Sequence, residues 1–455
     1  MAKTLELCFH DGAGSVTGAN FMLKEEGGTT LLFDCGLVQG EKVGEDSNGD
    51  PFAYDPSKVD CLIVSHAHLD HVGRIPKLVR DGFVGRIIST PPTKDIAELM
   101  LADSLGVLEK EARNSGQEPL YSMQDVAKSM TLWTTAKYHE PVHIGNFQLL
   151  FKDAGHILGS AMTEVSYGEK KILFTGDLGN SPEPLLRDTE AIGSVNYLVM
   201  ESVYGDRVRE HRDDRKRLLQ DVVMQTYNHK STLMIPAFSL ERTQELLYEL
   251  RTMVDAGVLP PVPVYLDSPL AIKVTDIYER YKEYLNDAAM QELTGGKGLC
   301  GYKWVHKTMT TEESKGLRDV PGPKIIIAGS GMSNGGRIIH HEKNYLPDPN
   351  NILLLIGYQA VRTPGRLLQD GATHIRILGE DVPVNARVVN ITGYSAHKDR
   401  EGLFDLVAGG VDTLERVFVV MGEPKSSLYL VQRIRDNLGI DAIAPDKGDH
   451  LTLAF

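Results

Sequence analysis

His66-Ala67-His68-Leu69-Asp70-His71 sets four metal-ligand side chains within six residues, directly after the apolar run Cys61-Leu62-Ile63-Val64. A histidine by itself is usually a surface residue or a satisfied core residue. This cluster, at the end of a strand-like run, carries no packing logic and reads as a metal site. Imidazole and carboxylate without thiolate suit Zn²⁺, Mn²⁺ or Fe rather than a closed structural zinc. One loop cannot enclose a catalytic metal, so further ligands are expected elsewhere. Asp153-Ala154-Gly155-His156 and Phe174-Thr175-Gly176-Asp177 both follow apolar runs and end in ligand-type side chains; Asp34 follows Leu31-Leu32-Phe33. Each alone is an ordinary turn residue. Beside the histidine cluster, each becomes a candidate for the same centre.

Outward from that cluster, short β-branched runs alternate with helical patterns, the signature of an α/β protein. Strands are expected at 30–33, 61–64, 171–174, 197–200, 233–235, 264–266, 325–327, 353–356 and 417–420. Most end in polar turns: Asp34, Ser65-His66, Gly176-Asp177, Glu201-Ser202, Asp267-Ser268 and Gly329-Ser330-Gly331. Such folds place reactive groups at strand ends. At 206–217 the composition changes abruptly to Asp-Arg-Val-Arg-Glu-His-Arg-Asp-Asp-Arg-Lys-Arg. This reads as an inter-domain crossing into a solvated helix start, with a share in a basic, nucleic-acid-facing patch as the alternative.

The 455 residues suffice for two or three domains, and 42% hydrophobic with 24% charged residues is an ordinary soluble composition. No run approaches the roughly 20 apolar residues that span a bilayer, so no membrane partner is expected. Met1-Ala2-Lys3-Thr4-Leu5-Glu6 has no apolar segment of the secretory kind. Cys8, Cys35, Cys61 and Cys300 form no CxxC pair and read as reduced thiols, hence a cytoplasmic address. The net charge of −14 excludes coating of nucleic acid by bulk electrostatics, although a local basic groove or bound metal is compatible with it. Composition alone favours a small-molecule enzyme. The motifs reverse that order.

The HxHxDH cluster, a later Gly-His, a Gly-Asp and an early Phe33-Asp34-Cys35-Gly36, in this order, resemble the metallo-β-lactamase superfamily. The resemblance implies an αββα sandwich with two zinc ions. It assigns His66, His68 and His156 to one metal and Asp70 and His71 to a second, with Asp177 bridging both and Asp34 orienting the site from behind. Two metals about 3.5–4 Å apart lower the pKa of a shared water and clamp the oxygens of an in-line displacement.

Small-molecule members of that superfamily are compact, whereas here the segment from Glu201 to His397 is long enough to be an inserted α/β domain. Its contents resemble the β-CASP nucleases: Ile235-Pro236-Ala237-Phe238-Ser239-Leu240-Glu241-Arg242-Thr243-Gln244-Glu245, then Leu266-Asp267-Ser268-Pro269-Leu270-Ala271, then Gly329-Ser330-Gly331-Met332 with Gly335-Gly336-Arg337. Gly357-Tyr358-Gln359 with Thr363-Pro364-Gly365-Arg366 follows, and Gly393-Tyr394-Ser395-Ala396-His397 matches the family's motif B, as Glu201 matches its motif A acid. The nearest resemblance is to bacterial and archaeal ribonucleases related to the eukaryotic pre-mRNA 3′-end-processing endonuclease. It implies a metallo-β-lactamase domain over 1–205 and 389–455, and a β-CASP domain over 206–388.

The function implied is a zinc-dependent endoribonuclease of single-stranded RNA, with 5′→3′ exonucleolytic cleavage as an added mode and a homodimer as the assembly. Asp70, Glu201 and His397 are the catalytic candidates. A carboxylate holding His⁺ lets it protonate the leaving 3′-oxygen or steady the scissile phosphate. Ser239, Arg242, Ser268, Ser330, Gly331 and Ser395 are the candidate substrate contacts. Gly329-Ser330-Gly331 presents N–H groups to a phosphate or is simply a tight turn. Arg242 anchors a phosphate or pairs with Glu245 three residues on. A cleft between the domains would thread the strand by its backbone.

One position departs from the family pattern. Its last strand ends in His-Gly-Glu, and here Met421-Gly422-Glu423 stands in that place. A thioether is a weak ligand among carboxylates and imidazoles. Three outcomes stay open: a weak second metal, substitution by His450, or an RNA-binding protein with impaired catalysis. A small-molecule metallo-hydrolase is a further alternative function, and DNA is the alternative substrate to RNA.

Overall fold

Leu5, Leu7 and Phe9 are buried in one core, while Glu6, Cys8 and His10 alternate with them along the strand Thr4–Asp11. That period of two places the two sets on opposite faces. The computed structural model describes residues 3–40, 47–116, 118–208, 212–295, 298–357, 359–360 and 362–455. Tyr358 and residues 209–211 of the charged stretch lie outside them.

Around Thr4–Asp11 a seven-stranded sheet runs in the order His450–Ala454, Thr4–Asp11, Asn20–Glu25, Thr30–Phe33, Cys61–Ile63, Arg86–Ser89, Trp133–Thr135. Its first three pairings are antiparallel and the rest parallel. A second seven-stranded sheet runs Asp441–Ile443, Arg416–Val420, Tyr197–Glu201, Lys170–Phe174, Ala161–Tyr167, Phe147–Asp153, Val142–Ile144. The inner faces of the two meet in a single apolar core, where the Phe33 and Phe174 rings stack at 3.6 Å. Leu403 and Val407 of helix Arg400–Ala408, with Leu430 and Ile434 of helix Pro424–Leu438, cover the outer face of the second sheet. Helices Pro91–Ser115 and Met123–Leu132 pack beside the outer strands of the first. The layers are those of an αββα sandwich.

The chain leaves this unit after Val208 and returns at Ala396. The intervening unit is a six-stranded, all-parallel sheet: Val305–Lys307, Val264–Leu266, Lys324–Ala328, Thr232–Pro236, Ile352–Ile356, Arg387–Ile391. Its central strands are buried on both faces. Ile235, Ile327 and Leu354 meet Leu219 and Leu246 on one side, and Met234, Ile326 and Leu353 meet Ile338 and Leu368 on the other. Burial of both faces is why these strands read as unbroken apolar runs. The second unit is thus the inserted α/β domain. No helix of the described residues is long and apolar enough to cross a membrane.

The charged stretch 206–217 is not uniformly solvated, as its composition had implied. Arg215 is buried, 2.9 Å from Glu245, bonded to Glu249, and stacked on the Tyr394 ring. Two carboxylates one turn apart on helix Arg242–Asp255 supply the countercharge that lets the guanidinium leave water.

Glu342, on helix Ile338–Tyr345, is fully buried; Ser333 donates to one of its oxygens at 2.6 Å and the other takes no hydrogen bond among the described residues. Burial pushes its carboxyl up to about 8. In the unfolded chain it ionises near pH ~4.3, so between the two values only the folded state holds the proton, and its contribution to stability falls as pH rises. Glu342→Gln should therefore gain stability relative to the wild type between about pH 5 and pH 8, by up to ~1.4 kcal/mol per pH unit. Denaturant unfolding of both proteins at the two pH values measures this; a difference independent of pH would contradict it.

Candidate metal centre

The parallel strands of the sandwich deliver the centre. Thr30–Phe33 ends at Asp34, Cys61–Ile63 leads into Ser65-His66, Lys170–Phe174 into Asp177, and Tyr197–Glu201 ends in its own carboxylate. His68 and Asp70 flank the start of the short helix Leu69–Val72, which also carries His71. Gly36 makes room for that helix: a β-carbon there would stand 1.5 Å from the Asp70 carbonyl oxygen. Gly176, at φ +55°, lies against Ser65 in a backbone conformation that side chains disfavour.

Four donor atoms converge from two of these strand ends and the His156 loop. His68 Nδ1 is 3.0 Å from His66 Nε2 and 3.2 Å from His156 Nε2. Asp177 Oδ2 stands 3.5 Å from His66 Nε2 and 3.6 Å from His156 Nε2. Donors about 2.1 Å from a tetrahedral zinc stand about 3.4 Å apart. The set fits a divalent ion.

A second set shares Asp177 through its other oxygen. Asp177 Oδ1 is 3.3 Å from His71 Nε2, which in turn is 3.8 Å from Asp70 Oδ2. Asp34 holds His71 from behind, accepting from Nδ1 at 2.7 Å, and its two oxygens also accept from the Ser65 amide and hydroxyl. This carboxylate fixes the tautomer that turns the Nε2 lone pair towards Asp177 and Asp70. Ser65 Oγ also lies 3.0 Å from His66 Nδ1, so it ties the two sets together. Sequence reading had not singled out Ser65, although its place between strand and His66 was the available signal. Burial holds His66 well below the usual imidazole range. Burial pushes Asp70 up to about 6. For His71, burial acts downward, but Asp177, Asp34 and Asp70 outweigh it and hold the imidazole well above its usual range.

Glu201 and His397 stand at the rim. His397 Nδ1 is 3.1 Å from Glu201 Oε1 and 3.9 Å from Asp177 Oδ2. Glu201 is buried and also accepts from the Leu178 and Val203 amides, which anchor its carboxylate.

Met421 directly follows the strand Arg416–Val420 and lies in the core beside the second set, at φ 46°. Its sulfur packs against Gly12, where a β-carbon would stand 2.8 Å from Sδ. It also lines a cavity of about 20 Å³ shared with Asp34, Ser65, His71 and Glu201, room for one water. His450 does not fill the gap: its Nδ1 is 3.0 Å from Glu6 Oε1 and 3.3 Å from Cys8 Sγ, because register pairs it with Cys8.

In the inserted unit, three parallel strand ends bring together Ser239, Ser268 and the Gly329 turn. Ser239 Oγ is 3.2 Å from Ser268 Oγ, and both hydroxyls lie under 4 Å from the β-position of Gly329. Ser268 also caps helix Pro269–Arg280. Ser330 Oγ accepts from the Asn334 amide at 3.2 Å, and Gly331 lies against the Phe238 ring. Arg242 is buried and spent on Glu245 and the Tyr394 carbonyl, so the pairing three residues along is the one formed. Ser395, partly exposed, follows the single turn Thr392–Tyr394.

Strand-end imidazoles and carboxylates on an αββα sandwich, with a parallel α/β insert, define a metallo-β-lactamase arrangement. Family matches agree: the Metallo-beta-lactamase superfamily over residues 14–224, the Beta-Casp domain over 243–368, and the Zn-dependent metallo-hydrolase RNA specificity domain over 381–445. Ribonuclease TTHA0252 of Thermus thermophilus is 36% identical over 92% of this chain and 93% of its own. RNase aCSPSF2 of Saccharolobus solfataricus is 31% identical over 97% of this chain and 84% of its own. Transcription termination factor FttA of Methanosarcina mazei is 33% identical over 91% of this chain, which spans 66% of that factor. A crystal structure of a protein of unknown function from Enterococcus faecalis V583 shares the fold at a TM-score of 0.58, with 13% identity over 99% of this chain and all of that one. The chain belongs to the metallo-β-lactamase superfamily, in the branch that carries a Beta-Casp domain.

Asp34→Asn should keep the fold but lose the acceptor that orients His71. Zinc affinity, read by competition with a chromophoric chelator, should fall roughly 10–100-fold. Unchanged affinity would refute the orienting role of Asp34.

Proposed function

We propose that this protein is a metal-dependent ribonuclease that hydrolyses phosphodiester bonds of single-stranded RNA. The observation that carries this reading is the Asp177 carboxylate, whose two oxygens face two separate donor sets. His66, His68, His156 and Asp177 would hold one ion, and Asp70, His71 and Asp177 a second. When bound, such a pair supplies Lewis acidity to the phosphate and lowers the pKa of water. Zinc is the metal we favour, from the nitrogen and oxygen donors and from the description of the matched C-terminal family. RNA as substrate rests on that description and on relatives named as ribonucleases. We favour internal cleavage, with 5′→3′ trimming as a second mode, in a cytoplasmic homodimer.

The chain's own residues divide the remaining work. Asp34 and Ser65 orient His71. Glu201 accepts the Nδ1 proton of His397, which stabilises the imidazolium and lets the ring donate a proton to the departing 3′-oxygen. Ser239, Ser268 and Ser330, with the Gly331 amide, offer neutral donors to backbone phosphates. Arg242 would act indirectly, by holding the Tyr394 carbonyl just ahead of Ser395.

Met421 favours a second reading, an RNA-binding protein of low activity, because the second donor set lacks a further hard ligand from the strand Arg416–Val420. The two readings separate experimentally. Zinc-loaded protein should cleave single-stranded RNA, and Asp177→Ala should abolish cleavage. His397→Ala should lower kcat by about 10²–10⁴-fold. RNA that binds but stays intact, with Met421→His equally inert, would overturn the nuclease reading in favour of the second.

A further inference from the structure

The outer face of strand Thr4–Asp11 carries Glu6, Cys8 and His10 in alternate positions, and Cys8 faces His450 across the pairing with His450–Ala454. His450 Nδ1 lies 3.3 Å from Cys8 Sγ and 3.0 Å from Glu6 Oε1, and the three ligand atoms lie within 4.8 Å of one another. His10 stands next on the same face. It is buried, its ring centroid is 6.1 Å from that of His450, and its Nε2 takes no hydrogen bond among the described residues.

An imidazole nitrogen offers one proton or one lone pair. It can serve the Glu6 carboxylate as a donor or the Cys8 thiol as an acceptor, and strong bonds to both at once are not available. A cation among the three would take a lone pair from each. We propose that Glu6, Cys8 and His450 form a divalent-cation site of the zinc type, separate from the catalytic centre, with the fourth position open to His10 or water. A thiolate, an imidazole and a carboxylate suit a borderline-soft ion, and tetrahedral zinc accepts this mixture. Cys8 and His450 are 442 positions apart in sequence, so the ion would clip the edge strand of the first sheet to its neighbour. Closing so long a loop restricts the unfolded chain, as a disulfide does.

Cobalt distinguishes this site from the catalytic one, whose donors are nitrogen and oxygen only. Full-length Asp177→Ala protein loaded with Co²⁺ should show a near-ultraviolet thiolate-to-cobalt charge-transfer band. Cys8→Ser and His450→Ala in that background should each lose it. Zn²⁺ should raise the unfolding temperature of Asp177→Ala by more than that of Asp177→Ala with His450→Ala, in which only the His66, His68 and His156 donors remain. Since His450 is half exposed, the second variant keeps the fold if Cys8→Ser does not. No band in the Asp177→Ala protein, or a band that survives both substitutions, would overturn the site.

Discussion

Lone-pair donors held 3.0–3.6 Å apart in a buried pocket repel one another unless a proton or a cation stands among them. The arrangement of His66, His68, His156 and Asp177 carries that constraint, and much of the sandwich exists to sustain it. Parallel strands aim their carboxyl ends at one place. The stacked Phe33 and Phe174 rings lock the two sheets just beneath it. Asp34 and Ser65 then set the imidazoles so that their lone pairs converge.

The two donor sets are unequal, and the inequality has a packing origin. The first is complete from protein side chains. The second ends against Met421, whose sulfur fills the space left by the bare α-carbon of Gly12. The thioether is therefore accommodated as core, with its amide bonded to the Gly12 carbonyl at 2.7 Å. A polar replacement at that position gains a ligand atom and gives up an apolar contact, so stability and metal affinity should respond in opposite directions.

Much of the fold was legible because the nine expected strands are parallel or flanked on both faces, and so read as apolar runs. Eight of the nine lie within observed strands, several of which run a residue longer, and the ninth, expected over 61–64, ends a residue early at Ile63. Thr4–Asp11, Asn20–Glu25, Phe147–Asp153 and Ala161–Tyr167 were not legible. These antiparallel strands alternate polar and apolar residues, and Gln148 or Lys152 breaks any apolar run. The ligand candidates were legible for a different reason: four crowd into one loop, and the others end apolar runs. Ser65 was hidden because a serine beside a turn is ordinary. The pairing of Arg242 with Glu245 was one of the two readings offered, whereas the burial of Arg215 was hidden because its partners, Glu245 and Glu249, lie far along the chain on another helix. The location of His450 depends on the register of the strand His450–Ala454, which no local pattern specifies.

A crystal of the zinc-loaded protein measured at the zinc absorption edge tests the central claim most directly. The account predicts an anomalous peak about 2.0–2.2 Å from His66 Nε2, His68 Nδ1, His156 Nε2 and Asp177 Oδ2 together. Zinc elsewhere in the crystal with no peak at that point would contradict it.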